Sequence, residues 1–387
     1  MKKPLIVGLA LSTLCASALA QSRVTLYGVI DEGILYQSNV AGGKKVSLES
    51  LTGLFGSRWG LTGVEDLGGG LHAIFTLESG INLNNGQFAQ GGTAFGRQAF
   101  VGLSHDRFGN LTFGRQYDMI FYFPEFLTPE ALVGTSVAGH PGDIDNAYNT
   151  VRINNAIRYM SRDFNGFTFG GEYSVGGIAG NATVNSGYSV GASYKNGGLA
   201  IAAAFEYFKQ PTSTAGSGFF TAYANGASPL AASLNKAYAT ARAYQSAVIA
   251  GNYTIGPVTL GASYSNVQYA NLGPTFATST ARFNDIDVGA RYQFNPYLSF
   301  AGSYNYLAGA GVTTATGNVV GNQHYHQVAL LTNYALSKRT NVYIGASWQR
   351  ASGTSSLGTP AVADINNMGD SSNNHQFMIR AGLLHRF

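Results

Sequence analysis

Side chains able to do chemistry are few in this sequence and stand far apart. His324 and His326 lie two residues apart in a segment read as a strand, so both project from one face. A metal would need further ligands, and none stands nearby in the chain. A pair of rim or girdle histidines is the better reading. No Gly-x-Ser-x-Gly elbow, phosphate loop or His-Glu-x-x-His motif occurs. No catalytic residue, cofactor or metal is therefore expected, and the chain is not read as an enzyme.

What does recur is arginine within strand-like segments: Arg58, Arg97, Arg115, Arg152 and Arg158. An arginine facing mid-bilayer lipid would cost about 2–4 kcal/mol, whereas one facing a water-filled lumen stays hydrated. If these segments cross a membrane, the arginines belong on the inside. A lone strand arginine could instead anchor a rim or a subunit contact. That alternative stands for Arg97, and more strongly for Arg115 and Arg158.

The elements that would position these residues are strands. In Thr259–Ser265, Leu260, Ala262 and Tyr264 share one face, opposite Thr259, Gly261, Ser263 and Ser265. Ile286, Val288, Ala290 and Tyr292 oppose Asp285, Asp287, Gly289 and Arg291, and Val342, Ile344, Ala346 and Trp348 oppose Gly345, Ser347 and Gln349. Such alternation gives each strand one apolar side and one small or polar side. A short unit recurs as Gly191-Ala-Ser-Tyr194, Gly261-Ala-Ser-Tyr264, Gly289-Ala-Arg-Tyr292 and Gly345-Ala-Ser-Trp348. Its aromatic end suits a girdle at a membrane interface.

About sixteen segments of this kind can be placed, beginning near Arg23, Phe55, Leu71, Phe95, Leu111, Arg152, Phe167 and Tyr188, then Leu199, Gln245, Val258, Phe283, Leu298, His326, Asn341 and Gln376. Short turns such as Asp66–Gly70, Asn165-Gly166, Gly256-Pro257 and Asn295-Pro296 alternate with long polar loops. The predicted fold is all-β, a transmembrane antiparallel barrel of about sixteen strands. Its last strand, ending at Phe387, must pair with the first, because an open edge in lipid leaves backbone groups unbonded. A secreted soluble β-sandwich is the bland alternative. Its core would need large side chains on both inner faces, and here the face opposite the aromatics is Gly, Ser, Thr, Asn and Arg.

Composition and the N-terminus fit a barrel. Lys2 and Lys3, the apolar run Leu5–Leu14 and Ala18-Leu19-Ala20 form the three regions of a secretory signal peptide, giving a leader 1–20 and a mature chain 21–387. Cys15 falls in that leader, and Leu14 before it argues against lipidation. The mature chain then lacks disulfide and thiolate chemistry. The sequence holds 51 glycines, 23 tyrosines and 23 phenylalanines, yet only 11% charged residues, against about 25% in ordinary soluble proteins. A formal charge of +4, two units of it on Lys2 and Lys3, is too small to argue for nucleic-acid binding.

With these features in place, the chain resembles the trimeric general porins of Gram-negative bacteria, more closely their β-proteobacterial branch. The likeness is carried by Val24-Thr-Leu-Tyr-Gly28, Ser57-Arg-Trp-Gly-Leu-Thr-Gly63 with Glu65-Asp-Leu67, and Gly96-Arg-Gln-Ala-Phe-Val-Gly-Leu103. Further along come Gly109-Asn-Leu-Thr-Phe-Gly-Arg-Gln116, Pro124-Glu-Phe126, Arg152-Ile-Asn-Asn-Ala-Ile-Arg-Tyr159 and the terminal Phe387. The resemblance implies an outer-membrane homotrimer in contact with lipid and lipopolysaccharide, passing ions and small hydrophilic solutes. It also implies a third loop, here 117–149, folded into the lumen as the constriction. By the same resemblance Arg58, Arg97 and Arg152 occupy wall positions facing that loop, and Glu125 matches one of its acids. Phe121 stands where a second acid is common, which removes a negative charge and points to anion preference. Arg115, Arg158, Glu130, Asp143 and Asp145 are secondary pore candidates, the acids among them able to restore charge balance. A substrate-specific channel is the runner-up function; a barrel enzyme or adhesin, whose lumen would be plugged, is the more distant one.

Overall fold

The computed structural model describes residues 22–181, 183–210, 230 and 232–387; the expected leader, 1–20, lies outside them. Nineteen strands are found among the described residues. They are β1 (Arg23–Val40), β2 (Gly43–Glu49), β3 (Arg58–Gly68), β4 (Leu71–Gly80), β5 (Gln98–His105), β6 (Gly109–Gln116), β7 (Ile153–Met160), β8 (Phe167–Ser174), β9 (Gly187–Asn196) and β10 (Leu199–Lys209). Then follow β11 (Ala243–Ile255), β12 (Val258–Ala270), β13 (Thr280–Gln293), β14 (Leu298–Gly309), β15 (Val312–Thr313), β16 (Val319–Val320), β17 (His324–Ala335), β18 (Thr340–Ser352) and β19 (His375–Arg386). The short pair β15–β16 forms a hairpin of its own; the other strands make one antiparallel sheet.

That sheet closes on itself. β1 pairs with β19 from Val29↔Arg386 to Gln37↔Met378, and Phe387 exchanges backbone hydrogen bonds with Gly28 at 3.1 and 3.2 Å. No edge is left in the sheet, as a lipid environment demands. β2 and β3 pair with successive halves of β1, Gly33–Val40 and Arg23–Val29 respectively. They therefore share one position around the barrel, and the seventeen sheet strands occupy sixteen positions. Sequence alternation started this second position near Phe55; its pairing in fact begins at Gly43. The chain then leaves the wall between β2 and β3. Asp31 holds that excursion, accepting from Phe55 N at 3.1 Å, and a Cβ on Gly53 would lie 2.2 Å from the Asp31 carboxylate. Only glycine fits there.

The two faces separate as the alternation requires. Leu260, Tyr264, Ile286, Val288, Tyr292, Ile344 and Trp348 are exposed on the outside, while Ser263, Ser265, Asp285, Asp287, Ser347 and Gln349 are buried within. Turns are short at one end, as at Gly68-Gly69-Gly70, where all three glycines take left-handed φ between 63° and 85°.

The segment 117–149 folds into the barrel and forms short helical turns, among them Met119–Tyr122, Glu125–Leu127 and Pro129–Val133. Their starts are written locally. Asp118 accepts from Ile120 N and Phe121 N at 2.7 and 3.1 Å, and Thr128 caps the turn that Pro129 opens. Met119, Ile120, Phe123 and Leu127 pack on Ala202, Ala204, Val248 and Ala250 of β10 and β11. Val133, Val137 and Ala138 join a second cluster with Leu331 and Tyr343. Burying each large apolar side chain is worth about 1.5–3 kcal/mol, enough collectively to hold the loop on the wall.

The glycine of the recurring unit explains where the loop lies. A Cβ at Gly191 would come 2.5 Å from Phe123, at Gly261 2.9 Å from Leu132, at Gly289 2.9 Å from Pro129 and at Gly345 2.9 Å from Val137. The outward Tyr194, Tyr264, Tyr292 and Trp348 are exposed on the lipid side. Each repeat thus presents an aromatic outward and a gap inward, and the loop fills the gaps.

Candidate functional site

In an antiparallel array the start of one strand and the end of the next lie at the same level. Arg58 opens β3, Glu78 lies near the end of β4, Arg97 directly precedes β5, Tyr117 follows β6 and Arg152 precedes β7. The register keeps them together, with Arg58 opposite Gly80 and Glu78 opposite Gln98. They line one cavity of about 360 Å3, together with Phe121, Glu125 and Phe126 from the inward loop and Leu51, Thr52, Leu54 and Phe55 from the excursion between β2 and β3.

Glu78 organises the wall. Its Oε1 accepts from Arg97 Nε at 2.8 Å and from the Tyr117 hydroxyl at 3.2 Å. Its Oε2 accepts from the Tyr27 hydroxyl at 3.0 Å and lies 3.5 Å from Arg58 Nε. Arg97 and Arg152 sit over the Tyr117 ring at 5.8 and 5.2 Å, and Arg58 sits over Phe55 at 5.6 Å. Each such contact contributes about 0.5–2 kcal/mol and fixes a guanidinium plane without neutralising it. Arg152 also donates to Thr150 O at 2.8 Å. Phe121 stacks on Tyr117 at 4.0 Å between centroids and meets Phe126 at 5.2 Å. An aromatic floor therefore lies beside three cations.

Glu125 lines the cavity but is 5% exposed, and its Oε2 has no hydrogen-bond partner. Burial first, then the nearby Glu130, Asp118 and Asp143, pushes its carboxyl well above the ordinary carboxylate range, outweighing Arg152. Burial therefore disfavours its charged form where it faces Arg152. The other acid lining the cavity besides Glu78 is Glu49, whose Oε1 accepts from Leu51 N at 2.9 Å. Glu78 is the residue that sequence reasoning missed. Its phase with Thr76 puts it on the polar side of its strand, but nothing local marks it as the partner of two arginines.

The secondary candidates are not gathered here. Arg115 bonds Gly96 O at 2.8 Å and the side chain of Asn154, away from the cavity. Arg158 lies over Tyr122 at 4.2 Å, bonds its hydroxyl, and stands opposite Glu172 in the register. Asp143 accepts from Tyr148 N and Thr150 N, both at 2.8 Å, and burial pushes its pKa up to about 7. It holds the loop's own fold. Glu130 and Asp145 are buried around His140, also off the cavity. The acids expected to restore charge balance therefore do not reach the arginines. His324 and His326 meet Tyr306 and Tyr304 at 3.1 and 2.7 Å, a girdle contact.

The chain can be set beside known proteins at this point. The profile of the Gram-negative porin family matches residues 8–354. An outer membrane porin protein of Bordetella pertussis is 31% identical over 388 residues, covering 90% of this chain and 94% of the relative. Outer membrane porin protein 32 of Delftia acidovorans is 30% identical over 400 residues, with both chains fully covered. In fold, the anion-selective porin from Comamonas acidovorans superposes with a TM-score of 0.66 at 22% identity, over 95% of this chain and all of that one. The chain belongs to the Gram-negative porins, outer-membrane channels for the diffusion of small solutes.

Proposed function

We propose that this porin passes small hydrophilic solutes with a preference for anions, and that Arg58, Arg97 and Arg152 are the side chains that impose it. One observation carries this reading: three guanidiniums line the cavity, Glu78 is held among them, and the facing loop offers Phe121 and a buried Glu125 whose charged form burial disfavours. Fixed positive charge at a constriction raises the local concentration of anions and repels cations. The solved structure described as an anion-selective porin shares the fold, which supports the reading. The working unit we propose is a homotrimer, embedded in outer-membrane lipid and lipopolysaccharide, with no energy input. Exposed apolar side chains on β1 and β2, among them Val24, Leu26, Ile34, Val46 and Leu48, suit either lipid or a neighbouring copy.

The aromatic rings beside the arginines favour a second, narrower reading, a channel tuned to solutes that pair a carboxylate with an apolar body. It differs from general diffusion in being saturable.

Single-channel current in a planar bilayer decides between these, with reversal potential read under a KCl gradient. Conductance in steps of three with chloride favoured supports the proposal. Cation preference would overturn the role given to the arginines, and a flux that saturates with aromatic carboxylates but not with chloride would favour the second reading.

A further inference from the structure

Across the barrel from the arginines, the inward loop meets β13 at a cluster that permeation does not use. His140, Glu130 and Asp145 from the loop and Asp285 and Asp287 from the wall are each 1% exposed or less. His140 Nδ1 and Asp145 Oδ2 are hydrogen-bonded at 2.8 Å. Nε2 points the other way. It makes no hydrogen bond, and its neighbours are Asp287 Oδ2 at 3.5 Å, Asp285 Oδ1 at 3.7 Å and Glu130 Oε2 at 3.8 Å. Glu130 Oε1 and Asp285 Oδ2 also lack partners.

Nε2 and three carboxylate oxygens thus meet in a buried space in which Nε2 has no hydrogen-bond partner. We propose that His140, Glu130, Asp285 and Asp287 form a binding site for a divalent cation, zinc by its donor set and spacing, with Asp145 orienting the imidazole. Ligands of tetrahedral zinc, each about 2.1 Å from the metal, stand about 3.4 Å apart, close to the three separations around Nε2. One borderline nitrogen with carboxylate oxygens suits zinc better than calcium or magnesium, which take oxygen alone. A carboxylate on the far ring nitrogen is the usual support of a metal-bound histidine, fixing its tautomer. The four ligand side chains come from two elements distant in sequence, so a cation here would fasten the inward loop to the wall.

The remaining polar contacts are compatible with coordination. Glu130 Oε2 accepts from His140 N at 3.2 Å, Asp285 Oδ1 accepts from Asn305 Nδ2 at 2.6 Å, and Asp145 Oδ1 accepts from Ala147 N at 3.2 Å. Each oxygen has a second lone pair for a metal. Because the site is closed, loading is expected during folding and exchange only when the loop lifts.

The test uses the full mature chain refolded with ZnCl2, desalted, and checked for a folded barrel by heat-modifiable gel mobility. Metal analysis should find one zinc per chain, and refolding with Co2+ should give the visible absorption of a tetrahedral site. His140→Gln should lose the metal, while His324→Gln with His326→Gln should keep it. A folded wild-type barrel that retains no zinc overturns the proposal and leaves shared protons as the occupants of the cluster. Equal zinc in His140→Gln also overturns it. Should His140→Gln not fold, X-ray absorption of the zinc-loaded wild type decides: one nitrogen among oxygen neighbours supports the site, and oxygen alone or sulfur overturns it.

Discussion

The two walls of the constriction use charge in opposite ways. Where β3, β5 and β7 begin, Arg58, Arg97 and Arg152 line the cavity, with Glu78 and Tyr117 holding them in place and Arg152 only 8% exposed. On the β12–β14 side the charged groups are covered by the loop and closed off from solvent, and glycines on neighbouring strands make room for its apolar residues. A charge that lines the cavity acts on passing ions. One buried under a loop acts on the loop. The position of segment 117–149 decides which wall has which task.

Removing charge from the open wall should have the largest effect. Replacing Arg58 and Arg152 together by glutamine is expected to lower the anion-to-cation permeability ratio about tenfold, since the field at a constriction comes from its nearest fixed charges. Conductance should change far less. Reversal potentials under a salt gradient measure it, and an unchanged ratio would mean that selectivity is set elsewhere.

The next effect comes from the docking wall. Gly289→Leu fills the gap that Pro129 occupies, where even a Cβ would stand 2.9 Å away. Overpacking of this kind costs about 1–3 kcal/mol, and lifting the loop relieves it. Single-channel conductance should rise by about half with noisier open states, while the barrel keeps its heat-modifiable mobility. If conductance does not move, the loop is held by contacts other than the glycine track.

Both walls were only partly legible in the sequence, and for different reasons. Period two in segments such as Asp285–Phe294 directly reports which side chain faces which medium, so barrel, face assignment and sixteen positions follow from it. Closure follows too, because a lipid-facing edge has no alternative. The three wall arginines came from resemblance, supported only by the cost of turning an arginine toward lipid. Glu78 was not legible, because its partnership with Arg97 rests on loop and strand ends meeting in space. The glycine of Gly-Ala-Ser-Tyr was visible as a repeat, yet its neighbour is a loop more than a hundred residues away in three of the four cases. The second strand position was misjudged because its two halves are split by a segment held on Asp31, and no periodicity marks such an excursion. Glu130 and Asp145 look like pore acids by composition; only their burial around His140 removes them from the lumen.

A smaller effect separates holding a charge from cancelling it. Glu78→Gln should raise anion preference about 1.5-fold, because one carboxylate leaves an already positive wall. It should also cost about 1–3 kcal/mol of stability, less than a fully buried pair because Arg58 is 23% exposed. Reversal potential and a thermal melt of the same sample check the two expectations. A selectivity gain with no stability loss would show that Glu78 screens the arginines without positioning them.

The smallest effect is expected at Glu125, and it is the sharpest test of the contrast between exposed and buried charge. Placed opposite Arg152, Glu125 would be taken for the negative half of the filter; burial instead raises its pKa, so its neutral form is the one the folded loop favours. The sign follows from linkage. A carboxyl with a raised folded pKa contributes stability fully present below its unfolded value of about 4 and lost as pH climbs through the raised one. Glu125→Gln, which fixes the neutral form, is therefore expected to change the permeability ratio by less than about 1.2-fold in neutral buffer. In alkaline buffer the two proteins should part: the wild type gains a negative charge beside Arg152, loses anion preference and loosens its loop, while the variant does neither. Reversal potentials of both proteins across a pH series make the comparison. A large drop in cation permeability on making Glu125→Gln at neutral pH would place an ionised carboxylate in the lumen after all, and the two walls would then differ in degree, not in kind.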